Sequence, residues 1–218
     1  MRSSVPIPDN PWPHDMLITV DDEPNALIEL LWIREACNLQ PTGFDLPPLL
    51  SDTSVGEHPD ARASADQIAE WRNAWPALWK ACLDHAGRVH DEKLFEELRE
   101  TPTGSAERAE LLRTLVGPDW RDTFGDDAIT PKYAAWNRAN FEALARGHSR
   151  PLNEHPERLS VDSLSAAWRA GLTTVVVVPC VGTFTRDIGP HSLLVTAETR
   201  DDPRHYSEAL NQFHRARR

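Results

Sequence analysis

Residues 172–178 read LTTVVVV, the most strand-like stretch in the chain. β-Branched side chains favour extended backbone, and an apolar run without alternation is typical of a strand buried on both faces. A turn-rich segment follows, and residues 192–196, SLLVT, predict a second strand. Asp202 and Pro203 then mark the start of a final helix. We therefore predict a small C-terminal β-x-β-α unit, with residues 16–20 as a candidate third strand.

Upstream of this unit, apolar residues recur at helical spacing. The clearest series is Trp71, Trp75 and Trp79, which fall on one face of a helix. We predict helices at residues 21–37, 64–87, 91–100, 105–116, 130–147 and 161–170. The predicted fold class is α+β and predominantly helical, with a helical body followed by the small unit of two or three strands.

The chain is predicted to form one globular domain with three parts. Residues 1–14 contain four prolines, which keep backbone extended and block helix formation, so they form an arm. Residues 15–147 are the helical body, and residues 148–218 are the α/β unit, which is expected to pack on that body. Residues 38–62 are rich in proline and glycine, and a loop of this length is typical of a lid or a binding segment.

Composition excludes several classes of function. The formal net charge is −11, with 34 acidic against 23 basic residues. Nucleic-acid binding needs a basic face, so nucleic acid is not an expected partner. The longest apolar run, residues 175–178 extended through Pro179, Cys180 and Val181, is far shorter than the ~20 residues that span a bilayer, and no signal-like segment follows Met1. Three scattered cysteines do not form a disulfide framework. We expect an acidic, cytoplasmic protein without membrane association.

The most specific local pattern follows the first predicted strand. Residues 180–186 read CVGTFTR, or C-x-G-x-x-x-R. This motif resembles the phosphate loop of the low-molecular-weight tyrosine phosphatases. The resemblance implies that Cys180 is the nucleophile, that Arg186 holds the phosphate oxygens, and that Asp202, in its Asp-Pro context, is the general acid. Such chemistry needs a thiolate, converging N–H donors and a bidentate guanidinium.

Two further observations bear on Cys180. His191 precedes the second predicted strand and could contact Cys180 if the two strands pair, which would allow a Cys-His couple. Asp187 follows Arg186, at a position where the phosphatase family has a serine or threonine. The alternative is that Cys180 packs at the end of a strand as a small apolar side chain.

The tryptophans admit two interpretations. There are eight in the chain, and Trp71, Trp75 and Trp79 share one helical stripe that Pro76 interrupts. Such a stripe is typical of a core seam. It is also compatible with a binding groove beside a proline kink, because large aromatic side chains dominate binding hot spots.

Two functional hypotheses follow. The sequence has no NTPase phosphate loop, no dinucleotide fingerprint, no hydrolase nucleophile elbow and no recognised metal-ligand spacing, so we predict no cofactor and no metal. The first hypothesis, which we favour, is a non-catalytic protein-interaction or regulatory protein. The second is a phosphatase-like hydrolase of small substrates, with a site around Cys180, Arg186, His191 and Asp202. The sequence leaves the oligomeric state open.

Overall fold

The computed structural model describes residues 11–43, 46–52, 55, 63–89 and 92–217, so most of the predicted arm lies outside the described residues. The strands are β1 (Thr19–Asp21), β2 (Thr174–Val178), β3 (Thr185–Asp187) and β4 (Ser192–Thr196). The helices are α1 (Asn25–Ala36), α2 (Ala65–Ala86), α3 (Glu92–Glu100), α4 (Ala106–Val116), α5 (Trp120–Phe124), α6 (Pro131–His148), α7 (Pro156–Leu159), α8 (Val161–Arg169), α9 (Ala197–Asp201) and α10 (Pro203–Arg215), with a 3₁₀ turn at Leu152–Glu154.

The four strands form one mixed sheet in the order β1-β2-β4-β3. β1, β2 and β4 are parallel, with Thr19 opposite Thr174 and Thr174 opposite Ser192. β3 runs antiparallel to β4. The predicted α+β, mostly helical fold is confirmed, and the candidate strand at residues 16–20 does join the sheet through β1. The sheet also contains β3, which falls inside the stretch expected to be turns.

Both faces of β2 are buried, as its sequence predicts. Val176 and Val178 point into a core that α1 and α2 cover. Val175 and Val177 point to the other side, where α8 and α10 pack. β4 alternates in the same way, because parallel strands in register present matching faces. The sheet therefore lies between two helical layers and belongs to both cores.

Helix α1 is buried almost all round, because it lies between the sheet and α2. Leu27, Leu30, Leu31 and Ile33 are fully enclosed. The same helix also buries two charged side chains, Glu29 and Arg34. A charge in such a position needs a partner, since an isolated buried charge is strongly unfavourable.

Helix α2 begins at a capping box in which Ser64 and Gln67 bond to each other's backbone N–H groups. It continues through Pro76 and ends at Gly87, whose own N–H donates to the Leu83 carbonyl. These are the start and the end that the sequence indicates.

Helices α3 and α4 form a helical hairpin outside both apolar cores, and the Leu115 carbonyl oxygen of α4 contacts Nε2 of His85 in α2 at 3.1 Å. Their main contact is with each other. Arg108 ties the hairpin together by donating to the carbonyls of Leu98 and Thr101. None of the side chains that the structure describes between residues 93 and 116 is buried.

Candidate functional site

Cys180 is fully buried at the end of β2. It lies in the core beside Val178 and pairs with Leu50 in an isolated antiparallel bridge. Burial raises the pKa of the Cys180 thiol to about 12, while nearby Arg34 acts to lower it and Glu35 to raise it. A thiol with this pKa is protonated at neutral pH, and the thiolate is the nucleophilic form. This environment favours the protonated thiol of Cys180 over the thiolate.

Three of the backbone N–H groups that follow Cys180 already have protein partners. The Val181 N–H donates to the Leu49 carbonyl at 2.9 Å. The Gly182 N–H donates to Oε2 of Glu198 at 2.8 Å, and the Phe184 N–H donates to Oγ1 of Thr199 at 2.9 Å. A phosphate loop needs converging donors that are available to an anion. Here a carboxylate takes one of those donors, and its charge would repel a phosphate.

Arg186 lies within strand β3, opposite Leu194 of β4. The resemblance to the phosphatases expects it instead at the end of a loop that wraps an anion. The next residue, Asp187, accepts a 2.8 Å hydrogen bond from Arg217, which draws the C-terminal helix toward this strand. The segment thus serves as an edge strand.

His191 lies at the opposite end of the sheet from Cys180. The strands do pair, but they pair in parallel, so the residue before β4 lies beside the start of β2. About 3.3 Å of rise per residue puts the two side chains roughly 15–20 Å apart. Nδ1 of His191 contacts the Gly171 carbonyl oxygen at 2.7 Å. The parallel sheet does not bring the Cys-His couple together.

Asp202 caps helix α10. Its Oδ1 accepts hydrogen bonds from the backbone N–H groups of Arg204 and His205, at 2.9 and 3.0 Å. These hydrogen bonds hold the pKa of the Asp202 carboxyl below its ordinary value, and the bond from the His205 N–H has the largest effect. A general acid has to carry a proton near its working pH, so this environment opposes that role.

The tryptophan stripe lies inside the protein. Trp71, Trp75 and Trp79 are buried. Trp75 donates its indole N–H to the Leu30 carbonyl at 2.8 Å and stacks on Trp79 with ring centroids 5.3 Å apart. Trp71 meets Trp120 of α5 edge to face. The stripe joins α2 to α1 and α5, and its three rings are enclosed by the described residues.

The predicted loop at residues 38–62 is tied down where the structure describes it. Arg34 donates to the carbonyls of Pro47 and Pro48 at 2.8 and 2.6 Å. Glu35 accepts a 2.6 Å hydrogen bond from the Leu50 N–H, which holds residue 50 against Cys180. This part of the loop covers the end of β2.

A buried polar cluster that the sequence does not reveal lies where α1 meets α5. Oε2 of Glu29 accepts from Arg121 at 3.4 Å, and Oε1 is buried without a hydrogen-bond partner among the described residues. Burial raises the pKa of Glu29, against the lowering effect of Arg121. Burial also raises the pKa of nearby Tyr133 to about 12. The sequence signal of this cluster is Glu29, a glutamate between apolar residues of α1.

The structure also exposes apolar side chains on its helices. Phe95 of α3 is 50% exposed, Leu112 of α4 is 40% exposed, and Val116 at the end of α4 is 61% exposed. Phe141 of α6 is 54% exposed. Scattered exposed apolar residues are normal, but a hairpin with three of them and no buried side chain among those described is a candidate binding surface. The periodicity of apolar residues in the sequence predicts helices α3 and α4, but it does not predict that their apolar side chains stay exposed.

Other kinds of site have no support in the described part of the chain. Within the described ranges there is no group of three or more His, Cys, Asp or Glu side chains that could hold a metal ion. No helix among the described residues is long and apolar enough to cross a membrane.

Comparison with known proteins adds no relative. No family model matches the chain, no curated protein matches it, and no solved structure matches it. Any functional conclusion therefore depends on the geometry of this molecule alone.

Proposed function

We propose that this is a non-catalytic, cytoplasmic protein that acts by binding another protein through its α3–α4 hairpin. The observation that carries the proposal is the hairpin itself. Residues 92–116 form two helices with apolar residues at core-like spacing, yet none of their described side chains is buried.

The hairpin gains little stability from the rest of the chain. Isolated helices shorter than about 12–15 residues are marginal in water, and most helical stability in proteins comes from packing an apolar face. Phe95 and Leu112 retain large exposed fractions, and burying either would contribute about 1.5–3 kcal/mol. A partner that covers this face would supply the packing that the two cores do not.

Charge indicates the chemistry of the partner. Glu96, Glu97 and Glu100 stand beside the apolar residues of α3, and the whole chain carries a net charge of −11. A complementary partner presents an apolar helix face with basic residues at its edge, since opposite potentials across an interface favour encounter and suppress wrong pairs. The same charge disfavours nucleic acid as the partner.

Catalysis at Cys180 receives no support from the geometry. The thiol is buried and its pKa is raised, three of the loop N–H groups are bonded within the protein, and His191 lies at the other end of the sheet. The phosphatase-like hydrolase stays a prediction from the sequence motif alone.

Site-specific photo-crosslinking in cells tests the proposal. A photoreactive amino acid replaces Phe95 or, separately, Leu112, and a control carries it at Glu208 on α10, which is also exposed. We expect covalent protein adducts from positions 95 and 112 and none from position 208. Equal labelling at all three positions, or no adduct from the hairpin, would contradict the proposal.

A further inference from the structure

We infer that the partner of the hairpin is a second copy of this chain, whose helix α6 packs against the exposed apolar side chains of α3 and α4. The inference rests on the proposed function and names the partner of the same surface. It also uses a second, separate feature of the molecule, which is the exposed apolar surface and the positive charge of α6.

Helix α6 is the second longest in the described chain, with 18 residues. Tyr133, near its start, is the one side chain of α6 described as buried. Beyond it, Trp136, Asn140 and Leu144 form a half-buried stripe at helical spacing, and Phe141 beside that stripe is exposed. Trp136 packs against the core, whereas Phe141 and Leu144 leave apolar surface uncovered in the C-terminal half of α6, as Phe95 and Leu112 do in the hairpin.

The charges of the two surfaces are complementary. Helix α3 has four glutamates against Lys93 and Arg99, so it is acidic. Helix α6 has Lys132, Arg138 and Arg146 against a single acid, Glu142, so it is basic. An acidic surface is the electrostatic complement of this basic helix, and α3 of a second copy supplies one.

The dimensions also fit. At 1.5 Å per residue, α6 is ~27 Å long, while α3 and α4 are ~14 Å and ~17 Å. The hairpin therefore matches the outer half of α6, from about residue 138 onward, and leaves Tyr133 in its own core. A helix laid across two neighbouring helices buries its apolar face against both.

Twofold symmetry makes the contact occur twice. In an isologous dimer, the hairpin of one protomer receives α6 of its partner, and the reverse contact forms at the same time. Each apolar face is then covered by the other, and no open face remains to extend the assembly. A closed dimer is the expected state.

Charge reversal in purified protein tests this arrangement. Sedimentation velocity over a range of protein concentrations measures self-association for the wild type, for Glu96→Lys/Glu97→Lys, for Arg138→Glu/Arg146→Glu, and for the combination of all four. We expect the wild type to dimerise, each pair of reversals to weaken dimerisation about tenfold or more, and the fourfold variant to recover most of the loss. Salt should weaken the wild-type dimer, because the charges lie at the rim.

The control carries Asp15→Lys/Glu208→Lys, two substitutions at exposed positions outside the hairpin and α6. They change the net charge by the same amount as Glu96→Lys/Glu97→Lys. The control should dimerise as the wild type does. Circular dichroism melting confirms that every variant is folded. Phe141→Glu, which removes no buried side chain, should also give a monomer.

The outcomes separate this inference from the proposed function. The inference that the partner is a second copy is wrong if the wild type is monomeric at all concentrations. It is also wrong if the fourfold variant dimerises no more strongly than the two variants that each carry one pair of reversals. If crosslinks from position 95 then still capture a different protein, the proposed function stands without this inference. If the hairpin gives no crosslink and the chain is monomeric, both fail.

Discussion

At the scale of single residues, Glu29 is the most unusual group in the protein. It is a carboxylate within a helix enclosed by apolar side chains, and its one described ionic partner, Arg121, is itself partly exposed. Desolvation outweighs that partner, so the pKa of Glu29 lies above its ordinary value. The folded protein consequently binds a proton at Glu29 more readily than the unfolded chain does.

The sign of the pH effect follows from linkage. A raised folded-state pKa contributes stability that is complete below the ordinary pKa and is lost as pH rises through the folded-state value. Glu29→Gln removes this titration while keeping the shape of the side chain. We expect the free energy of unfolding of Glu29→Gln, relative to wild type, to increase between pH 4 and pH 7, within the ~0.5–3 kcal/mol usual for single substitutions.

Urea unfolding at a series of pH values measures this difference. The control is Glu208→Gln, at an exposed position, whose difference from wild type should stay constant over the same range. A difference for Glu29→Gln that shrinks as pH rises would show that Arg121 overcompensates the desolvation of the carboxylate.

Cys180 gives a second prediction at this scale. Because its thiol is buried and its pKa is raised to about 12, labelling by a thiol reagent at pH 7 should be slow in the folded protein and fast after denaturation. Mass spectrometry of the labelled peptide measures the rate. Phosphatase assays of wild type and Cys180→Ser should give the same background value. Fast labelling of the native thiol, or activity lost only in Cys180→Ser, would restore the catalytic hypothesis.

At the scale of elements, the end of α2 depends on a close approach between two backbones. Gly87 lies against the turn between β3 and β4, where a Cβ on this residue would stand 1.9 Å from the Ile188 carbonyl oxygen. Ser192 also donates to the Gly87 carbonyl, at 3.2 Å. The φ of Gly87 is −80°, so its requirement for glycine is steric and not conformational.

Gly87→Ala should therefore destabilise the protein by about 2–4 kcal/mol, because backbone has to shift to admit the methyl group. Gly147→Ala is the matched control. Gly147 lies inside α6 with nothing near its would-be Cβ, so alanine there should stabilise the helix by about 0.5–1 kcal/mol. Thermal melting of both variants measures the effects. Equal effects of the two substitutions would contradict the close approach.

Sequence predicts the elements better than it predicts their neighbours. Gly87 ends α2 as its residue type indicates, but only the fold shows what lies beside it. The sequence does not predict β3, because this strand has only three residues, Thr185, Arg186 and Asp187, and none of them is apolar. Their extended conformation comes from pairing with β4, which the local sequence does not show. The cysteine motif, by contrast, predicts a site that the geometry does not support. The spacing of residue types does not reveal which backbone N–H groups are already hydrogen-bonded within the protein.

At the scale of the whole molecule, local stability should be highest in the sheet between the two helical layers and lowest in the α3–α4 hairpin. β2 and β4 are buried between two helical layers, while the hairpin has no described buried side chain. Amide hydrogen exchange at low protein concentration should be slowest in β2 and β4 and fastest in α3 and α4, because amides in poorly packed elements exchange through local opening. Hairpin amides as protected as those of the sheet would show that the hairpin belongs to the core.

The position of β1 has a consequence for biosynthesis. Its partner in the sheet, β2, lies near the other end of the chain, and α1 packs against strands that are not yet made when it leaves the ribosome. At about 5–20 residues per second, the interval between translation of Thr19 and of Thr174 is roughly 8–30 s. Throughout that time the nascent α1 has no sheet to cover it, so chaperones that bind apolar segments should recognise it until β2 and β4 have been synthesised.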